Sequence, residues 1–285
     1  MYYLLLILLY PLSLLPLRVL YLLSDLAFVL IFHVGGYRKD LVWNNLRHAF
    51  PEKTDEEITR IRKRFYRSFC DQWIETLKLL SMSKKALNRR IVGNWEVFHQ
   101  LEYAGKNTYA LLGHNFNWEW ANVACQHNAG QQFAGVYLPL SSRPFDRLMQ
   151  RIRTRGGGWL ISMKAVKAGL QRVRPVQHII AMMADQNPSV AEVALWLPFM
   201  NREAPFFRGP GQMAVRARGA VVFAGIRKTG RGRYQVHLEL VTENAAELGP
   251  EDITRHYVSF MERQLREQPE NWLWSHNRWK HQRKS

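Results

Sequence analysis

The sequence predicts an α/β domain, in which helices flank a central mixed sheet, preceded by an N-terminal hydrophobic membrane anchor. Two observations support this prediction. Residues 1–34 are mostly apolar, and after Gly93 short apolar runs alternate with segments of helical periodicity. Such alternation is typical of a sheet that is covered by helices on both faces. We therefore divide the chain into an anchor, residues 1–34, and a domain that carries the function, residues 35–285.

The anchor segment is apolar but interrupted. Residues 2–17 carry no charge, Pro11 and Pro16 break the run, and Asp25 splits the next apolar stretch, which reaches Val34. A spanning helix needs about 20 consecutive apolar residues. The segment is therefore expected either to span the bilayer or to lie within one leaflet. The alternative is an apolar helix that packs on a soluble core.

Basic residues follow the first apolar run and do not precede it. Arg18, Arg38 and Lys39 come after the run, whereas no lysine or arginine comes before it. Cytoplasmic flanks of membrane segments carry an excess of these residues. We therefore expect the main domain to lie on the cytoplasmic side of the membrane.

A long amphipathic helix is predicted to follow Pro51. Thr54 and Glu57 have the spacing of a capping box, which begins a helix. The apolar residues that recur at helical spacing are Ile58, Ile61, Phe65, Phe69, Trp73, Leu77 and Leu80. Basic residues surround them, so the helix is either a core helix with a solvated face or a helix that faces the membrane.

Five strands and a C-terminal helix are predicted in the second half. The apolar runs are residues 109–113, 133–137, 179–184 and 221–226, and residues 234–241 alternate between apolar and polar side chains. A helix that begins at about Pro250 places one apolar face toward the core. That face consists of Ile253, Tyr257, Phe260, Met261 and Leu265.

The chain is strongly basic, with 40 Lys and Arg against 23 Asp and Glu, a net charge of +17. Its partners are therefore expected to be anionic: nucleic acid, anionic lipid or an acidic carrier protein. A membrane-tethered nucleic-acid binder is the rival interpretation, but no helix-turn-helix, zinc-finger or RNA-binding signature appears. The two cysteines and the histidines lack metal-ligand spacing, so we predict no metal.

The strongest chemical signal is the segment from Leu111 to Trp120, LLGHNFNWEW. An apolar strand ends at Gly113 and is followed by His114, with Glu119 five residues later. A neutral imidazole can take a proton from a hydroxyl, and a carboxylate can orient the ring. On a regular helix, five residues would turn the two side chains roughly 140° apart, at 100° per residue. His114 should therefore lie before the helix and Glu119 on its first turn. The alternative is a buried, hydrogen-bonded histidine.

This segment resembles the H-x-x-x-x-E block of the lipid A biosynthesis acyltransferases, the late lauroyl and myristoyl transferases, whose fold is similar to that of glycerolipid and lysophospholipid acyltransferases. Further blocks between Trp43 and Lys280 resemble the same family and occur in the same order. They are NNLRHAFPEKTDEEI, VYLPLSSRPFDRLMQRIRTRGG, MADQNPS, WLPFMNREAPFFRGPGQMAVRARGAVV and PENWLWSHNRWK.

The resemblance implies roles for particular residues. His114 would be the general base, Glu119 its partner, and Arg151 the residue that stabilises the oxyanion. Arg147, Arg153 and Arg155 lie close enough in sequence to take that last role instead. The residues expected to contact substrate are Asn117, Arg153, Asp185, Gln186 and Arg208.

The resemblance also implies a reaction. A fatty acyl chain would pass from acyl carrier protein to a hydroxyl of an anionic lipid A precursor, without a cofactor, at the inner membrane. An acyl-coenzyme A donor remains an alternative to the carrier protein. Asn187 and Pro188 follow the A-D-Q block, where the family most often has an acidic residue. An aminolipid or another glycolipid or phospholipid is therefore the alternative acceptor.

Overall fold

The computed structural model describes residues 1–283, and its centre is a mixed seven-stranded sheet. The strands are β1 (Ile91–Gly93), β2 (Thr108–Leu112), β3 (Gln132–Tyr137), β4 (Trp159–Ser162), β5 (His178–Met183), β6 (Leu195–Phe199), β7 (Arg202–Phe206), β8 (Ala220–Gly230) and β9 (Arg233–Thr242). The sheet order is β1-β9-β8-β2-β5-β3-β4, and β6 and β7 form a separate hairpin. Only the β8–β9 pair of the large sheet is antiparallel. The predicted α/β class with a mixed sheet is confirmed.

Helices cover both faces of this sheet. They are α1 (Tyr2–Leu14), α2 (Leu17–Val29), α3 (Lys39–Ala49), α4 (Asp55–Lys78), α5 (Lys84–Asn88), α6 (Glu96–Tyr103), α7 (Trp118–Asn128), α8 (Arg143–Arg153), α9 (Val166–Val173), α10 (Gly209–Ala217) and α11 (Pro250–Glu267). On one face, Phe223 of β8 contacts the rings of Tyr257 and Phe260 of α11. On the other, Trp120 of α7 contacts Tyr234 of β9.

The five predicted strands are β2, β3, β5, β8 and β9, each within a few residues of its predicted bounds. Four strands were not predicted. β1 and β4 span three and four residues, too few for a periodic signal. The β6–β7 hairpin contains Pro198 and Pro205, which argue against a strand in a sequence.

The two predicted helix signals are confirmed. Thr54 and Glu57 form both hydrogen bonds of the capping box, with the Thr54 amide 2.8 Å from Glu57 Oε2. The apolar face of α11 is fully buried. In α4, Ile58, Ile61 and Phe65 are buried, but Trp73 is half exposed. The apolar face of α4 therefore packs mostly against the protein.

The N-terminal segment forms two helices and a π-helical turn. α2 continues through that turn, Leu30–Val34, and the stretch Leu17–Val34 has a mean hydropathy of 1.9. By length and composition it is able to cross a membrane, and most of it is not buried in the protein. α2 packs on α4, where Ser24 Oγ donates to Asp71 and Tyr21 Oη donates to Glu75, both at 2.7 Å. The segment is thus attached to the domain by hydrogen bonds as well as by apolar contacts.

Candidate active site

Two neighbouring parallel strands bring the central residues of the site together. β2 pairs with β5 so that Leu112 lies opposite Met183, the last residue of each strand. His114 lies two residues after the end of β2, and Asp185 lies two residues after the end of β5. Because the carboxyl ends of parallel strands lie at the same edge of a sheet, these two side chains meet there. This contact joins residues 71 positions apart.

Asp185 holds His114 through its ring and its backbone. Asp185 Oδ1 lies 2.7 Å from His114 Nδ1, and Oδ2 accepts from the His114 amide at 2.8 Å. Oδ2 also accepts from the indole N–H of Trp272 at 2.7 Å. Burial of Asp185 acts to raise its pKa, but the His114 charge and the hydrogen bonds outweigh burial and lower the pKa to about 2. The carboxylate therefore remains ionised and accepts the Nδ1 proton.

The other ring nitrogen of His114 faces a cavity. Because Nδ1 carries the proton, Nε2 has a free lone pair. The His114 Nε2 atom lies 3.1 Å from the side-chain amide nitrogen of Gln186. The imidazole also lies edge-on to Trp118, with ring centroids 5.2 Å apart. His114 is therefore fixed in orientation and ready to accept a proton from a group that displaces the Gln186 amide.

Glu119 and Arg153 form a second pair in the same cavity. Both side chains line it, and Arg153 Nη2 lies 2.6 Å from Glu119 Oε1. Arg153 Nε contacts both carboxylate oxygens, at 3.1 and 3.0 Å. Burial acts to lower the pKa of Arg153, but Glu119 raises it above its ordinary value. A permanent positive charge is therefore held at a fixed place in the cavity that His114 also lines.

This geometry corrects two expectations about how the site is assembled. Among the hydrogen bonds of residues 1–283, His114 Nδ1 pairs with Asp185 and not with Glu119. His114 precedes α7, whereas Glu119 lies on the first turn of that helix and pairs there with Arg153 of α8. Arg151 is exposed and lines a different cavity. It lies two residues before Arg153 on α8, so the two side chains point to different sides of the helix. Arg153, one of the alternatives, is the arginine that lines the cavity with His114.

Of the expected substrate contacts, Arg153 and Gln186 line the cavity and the others do not. Asp185 lies behind His114 and is 1% exposed. Asn117 is fully buried; it caps α7 by accepting from the Trp120 amide and donates to Glu75. Arg208 pairs with Glu251 and donates to the Val193 carbonyl, although its neighbours Phe207 and Gly209 line the cavity.

The cavity has a volume of about 800 Å³ and is lined mainly by apolar side chains. Its floor is the sheet face that carries Ala110, Gly135 and Ala181. These three small residues are in register on three adjacent strands, because Ala181 lies opposite both Ala110 and Gly135. A Cβ added at Gly135 would meet nothing closer than 3.6 Å. The space above the sheet therefore exists because the side chains beneath it are small.

Sequence reasoning missed two parts of this site. Trp272 was assigned no contact with Asp185, and no short-range signal relates these residues because they are 87 positions apart. The small residues of the floor were also missed. Their signal was present, since Ala110, Gly135 and Ala181 share the alternation of strands that had been predicted.

Comparison with known proteins identifies the family of the chain. The family model described as bacterial lipid A biosynthesis acyltransferase matches residues 1–281 of the 285 in the chain. A search of curated proteins gives no match. The family match covers both the N-terminal helices and the strand ends that carry His114 and Asp185. The chain therefore belongs to the bacterial lipid A biosynthesis acyltransferase family and is an acyltransferase.

Proposed function

We propose that this protein transfers a fatty acyl chain from acyl carrier protein to a hydroxyl of a lipid A precursor, with His114 as general base. The observation that carries the proposal is the His114–Asp185 pair, whose free nitrogen faces an apolar cavity of about 800 Å³. A base in the wall of an apolar cavity suits a reaction between a hydroxyl and a long acyl chain. Each buried methylene of that chain would contribute roughly 0.8 kcal/mol to binding.

In the proposed reaction the acceptor hydroxyl displaces the Gln186 amide from His114 Nε2. The hydroxyl oxygen attacks the thioester carbonyl carbon while Nε2 takes its proton. Asp185 stabilises the resulting imidazolium and keeps the ring oriented. When the tetrahedral intermediate collapses, the C–S bond breaks and the proton passes from Nε2 to the thiolate of the donor. The acyl group moves directly, because a thioester is already activated.

Arg153 is the residue that we assign to the oxyanion. It lines the same cavity as His114, and Glu119 holds its guanidinium from one side. The remaining N–H groups can donate to the oxygen that becomes negative in the transition state. A preorganised donor of this kind typically contributes a factor of about 10² to 10³ in rate. Glu119 is then a positioning residue, which acts through Arg153.

The charge of the molecule supports an acidic donor and an anionic acceptor. A net charge of +17 would speed the encounter with an acidic carrier protein. The exposed apolar residues of α1 and α2 support a place at the membrane, and the basic residues after the anchor support the cytoplasmic side of the inner membrane. An aminolipid or another glycolipid is the alternative acceptor, because Asn187 follows the A-D-Q block.

Mass spectrometry of the products tests this function. The detergent-extracted protein is incubated with acyl carrier protein thioesters and a tetraacylated lipid A precursor, with acyl-coenzyme A as a parallel donor. We expect a mass gain of one acyl chain, reduced about 10²- to 10⁴-fold in His114→Ala. His99→Ala is the matched control, because the side chain of His99 is exposed and does not line the cavity. Full activity of a folded His114→Ala would refute the general-base role, and transfer only to aminolipids would refute the acceptor.

A further inference from the structure

A second cavity lies beside the cavity that His114 and Arg153 line, the proposed acyl cavity. Its volume is about 540 Å³, and three arginines line it: Arg147 and Arg151 from α8, and Arg172 from α9. Arg147 and Arg151 are one helical turn apart, so they share a face of α8. The guanidinium groups of two helices are thus directed to one space.

No carboxylate neutralises this cluster. None of the residues that line the cavity is acidic, and within residues 1–283 no carboxylate lies within 4.0 Å of these three guanidinium groups. The nearest acidic residue along α8 is Asp146, whose oxygens accept from the Leu140 amide and from Gln150. Three like charges around one space repel one another, and a bound anion would remove that repulsion.

Aromatic rings hold two of the arginines in place. The Arg147 guanidinium lies 4.5 Å from the ring centroid of Tyr2, and that of Arg172 lies 4.4 Å from the ring centroid of Trp159. Stacking on a ring face leaves the N–H edges of a guanidinium free to donate. Those edges form a planar fork that matches the oxygens of a phosphate group.

The position of the cavity indicates where such a phosphate would come from. Tyr2 in its wall belongs to α1, which packs on α8 and exposes Tyr3, Leu4, Ile7 and Leu8. The side chains of Tyr137 and Leu160 line both this cavity and the acyl cavity. An anion bound here would lie at the end of an apolar helix, and the side chains of Tyr137 and Leu160 would separate it from the acyl chain. The head group of a membrane lipid would occupy such a position.

We propose that Arg147, Arg151 and Arg172 form a binding site for the phosphate group of a lipid. This inference rests on the proposed function only in one respect, that the lipid is the phosphorylated acceptor. In that role the site would anchor the head group while the hydroxyl to be acylated reaches His114 across the Tyr137 wall. The other source of the same chemistry is a neighbouring phospholipid that does not react.

Direct binding is the first test. The full-length protein is titrated with detergent micelles that contain dilauroyl phosphatidic acid, against micelles that contain dilauroylglycerol, which has the same acyl chains and no phosphate group. Charged hydrogen bonds of this kind change affinity by about tenfold per arginine. We therefore expect about a tenfold loss for Arg151→Gln and a loss of about a hundredfold or more for Arg147→Gln, Arg151→Gln and Arg172→Gln together. Tryptophan fluorescence is a suitable signal because Trp159 lies under Arg172.

The matched control carries Arg143→Gln, Lys167→Gln and Arg174→Gln, which remove the same charge from exposed positions on or next to the same two helices. None of these residues lines the cavity. The control should bind phosphatidic acid as the unmodified protein does. Unchanged binding in the cavity variant, or equal losses in both variants, would overturn the proposal.

Kinetics then identify the source of the phosphate. If the site holds the acceptor, the cavity variant raises the KM for the phosphorylated acceptor about tenfold or more and leaves the KM for the phosphatase-treated acceptor unchanged. If it holds another lipid, micelle binding is lost while the two KM values change equally. An absence of acyl transfer in the unmodified protein would count against the proposed function alone, because the binding test does not depend on turnover.

Discussion

At the scale of single residues, the proposed chemistry depends on one proton being held at Nδ1 of His114. Asp185 accepts that proton at 2.7 Å and is itself held by the Trp272 indole and the His114 amide. A neutral amide in place of the carboxylate would no longer require Nδ1 to donate. The ring could then adopt the other tautomer, in which Nε2 carries the proton and cannot act as a base.

Asp185→Asn should therefore lower kcat by about 10² to 10⁴ with a smaller effect on KM.

The stabilising contribution of Asp185 to the folded protein should also change with pH. The pKa of Asp185 is lowered from 3.8 to about 2, so its stabilising contribution is fully present above pH 4 and is lost as pH falls toward 2. By linkage this contribution is about 2 kcal/mol.

Urea unfolding of both proteins between pH 5 and about 2 would measure that contribution. The gap in unfolding free energy between the unmodified protein and Asp185→Asn should narrow as the pH falls. A constant gap would show that Asp185 contributes through packing and not through its charge. Glu239→Gln is a suitable control, since Glu239 is exposed and pairs with Arg263 on the surface.

Four of the residues predicted for the site line one cavity, namely His114, Glu119, Arg153 and Gln186, and their chemical roles stay predictions. His114 was predicted from the end of an apolar strand, which is a local signal. Its contact with Asp185 depends on β5 lying next to β2. The sequence of neither strand predicts that order. The resemblance implied that Glu119 is the partner of His114, whereas Glu119, on the first turn of α7, pairs with Arg153.

At the scale of elements, the acyl cavity is a consequence of how three strands are paired. Ala110, Ala181 and Gly135 occupy adjacent positions across β2, β5 and β3, on the face that α7 covers. Leucine or phenylalanine at any of these positions would project into the space above the sheet. The depth of the cavity is therefore set by side-chain size at a few strand positions.

Ala181→Phe should shift the enzyme toward shorter acyl chains. The added ring would occupy part of the cavity, so the last methylenes of a long chain could not be buried. Each methylene that can no longer be buried costs roughly 0.8 kcal/mol of binding free energy, which lowers kcat/KM about fourfold. Competition among thioesters of increasing chain length, followed by mass spectrometry of the products, would reveal the shift.

Gly135→Ala is the matched control for this experiment. A Cβ at Gly135 makes only ordinary contacts, the nearest at 3.6 Å, so chain-length preference should change little. An unchanged preference in Ala181→Phe would show that the acyl chain does not lie over this part of the sheet. Equal shifts in both variants would instead indicate a general distortion of the sheet.

Elements with a long periodic signal were predictable, and short elements were not. β2, β5 and β9 carry five or more residues of the expected pattern, and α11 repeats its apolar face over 18 residues. β1 and β4 exist only because β9 and β3 lie beside them and pair with their backbones. Such strands are formed by tertiary context more than by their own residues.

At the scale of the whole molecule, α2 is joined to α7 through the buried carboxylate of Glu75. Glu75 of α4 accepts from Tyr21 of α2, from Tyr234 of β9 and from Asn117, the cap of α7, each at 2.7 Å. Burial raises the pKa of Glu75, so its hydrogen bonds are needed to offset the cost of burial. The predicted boundary between anchor and domain is therefore crossed by a connected hydrogen-bond network.

Removing two of the hydrogen bonds between α2 and α4 should destabilise the domain even when the apolar segment is intact. Tyr21→Phe deletes the donor to Glu75, and Ser24→Ala deletes a donor to Asp71. A hydrogen bond to a charged group typically contributes about 1.5–3 kcal/mol. The double variant should thus lose about 3 kcal/mol or more of unfolding free energy.

Denaturant unfolding in detergent would measure the loss, with Leu26→Ala as the matched control. Leu26 lies on the same helix but is 57% exposed, so its side chain contributes little to packing on α4. A large loss in the double variant with little change in Leu26→Ala would show that α2 is part of the folded domain. Equal stability of all three proteins would show that α2 is held mainly by its membrane environment. In the first case catalytic activity should fall together with stability, because Glu75 also holds the cap of the helix that carries Glu119.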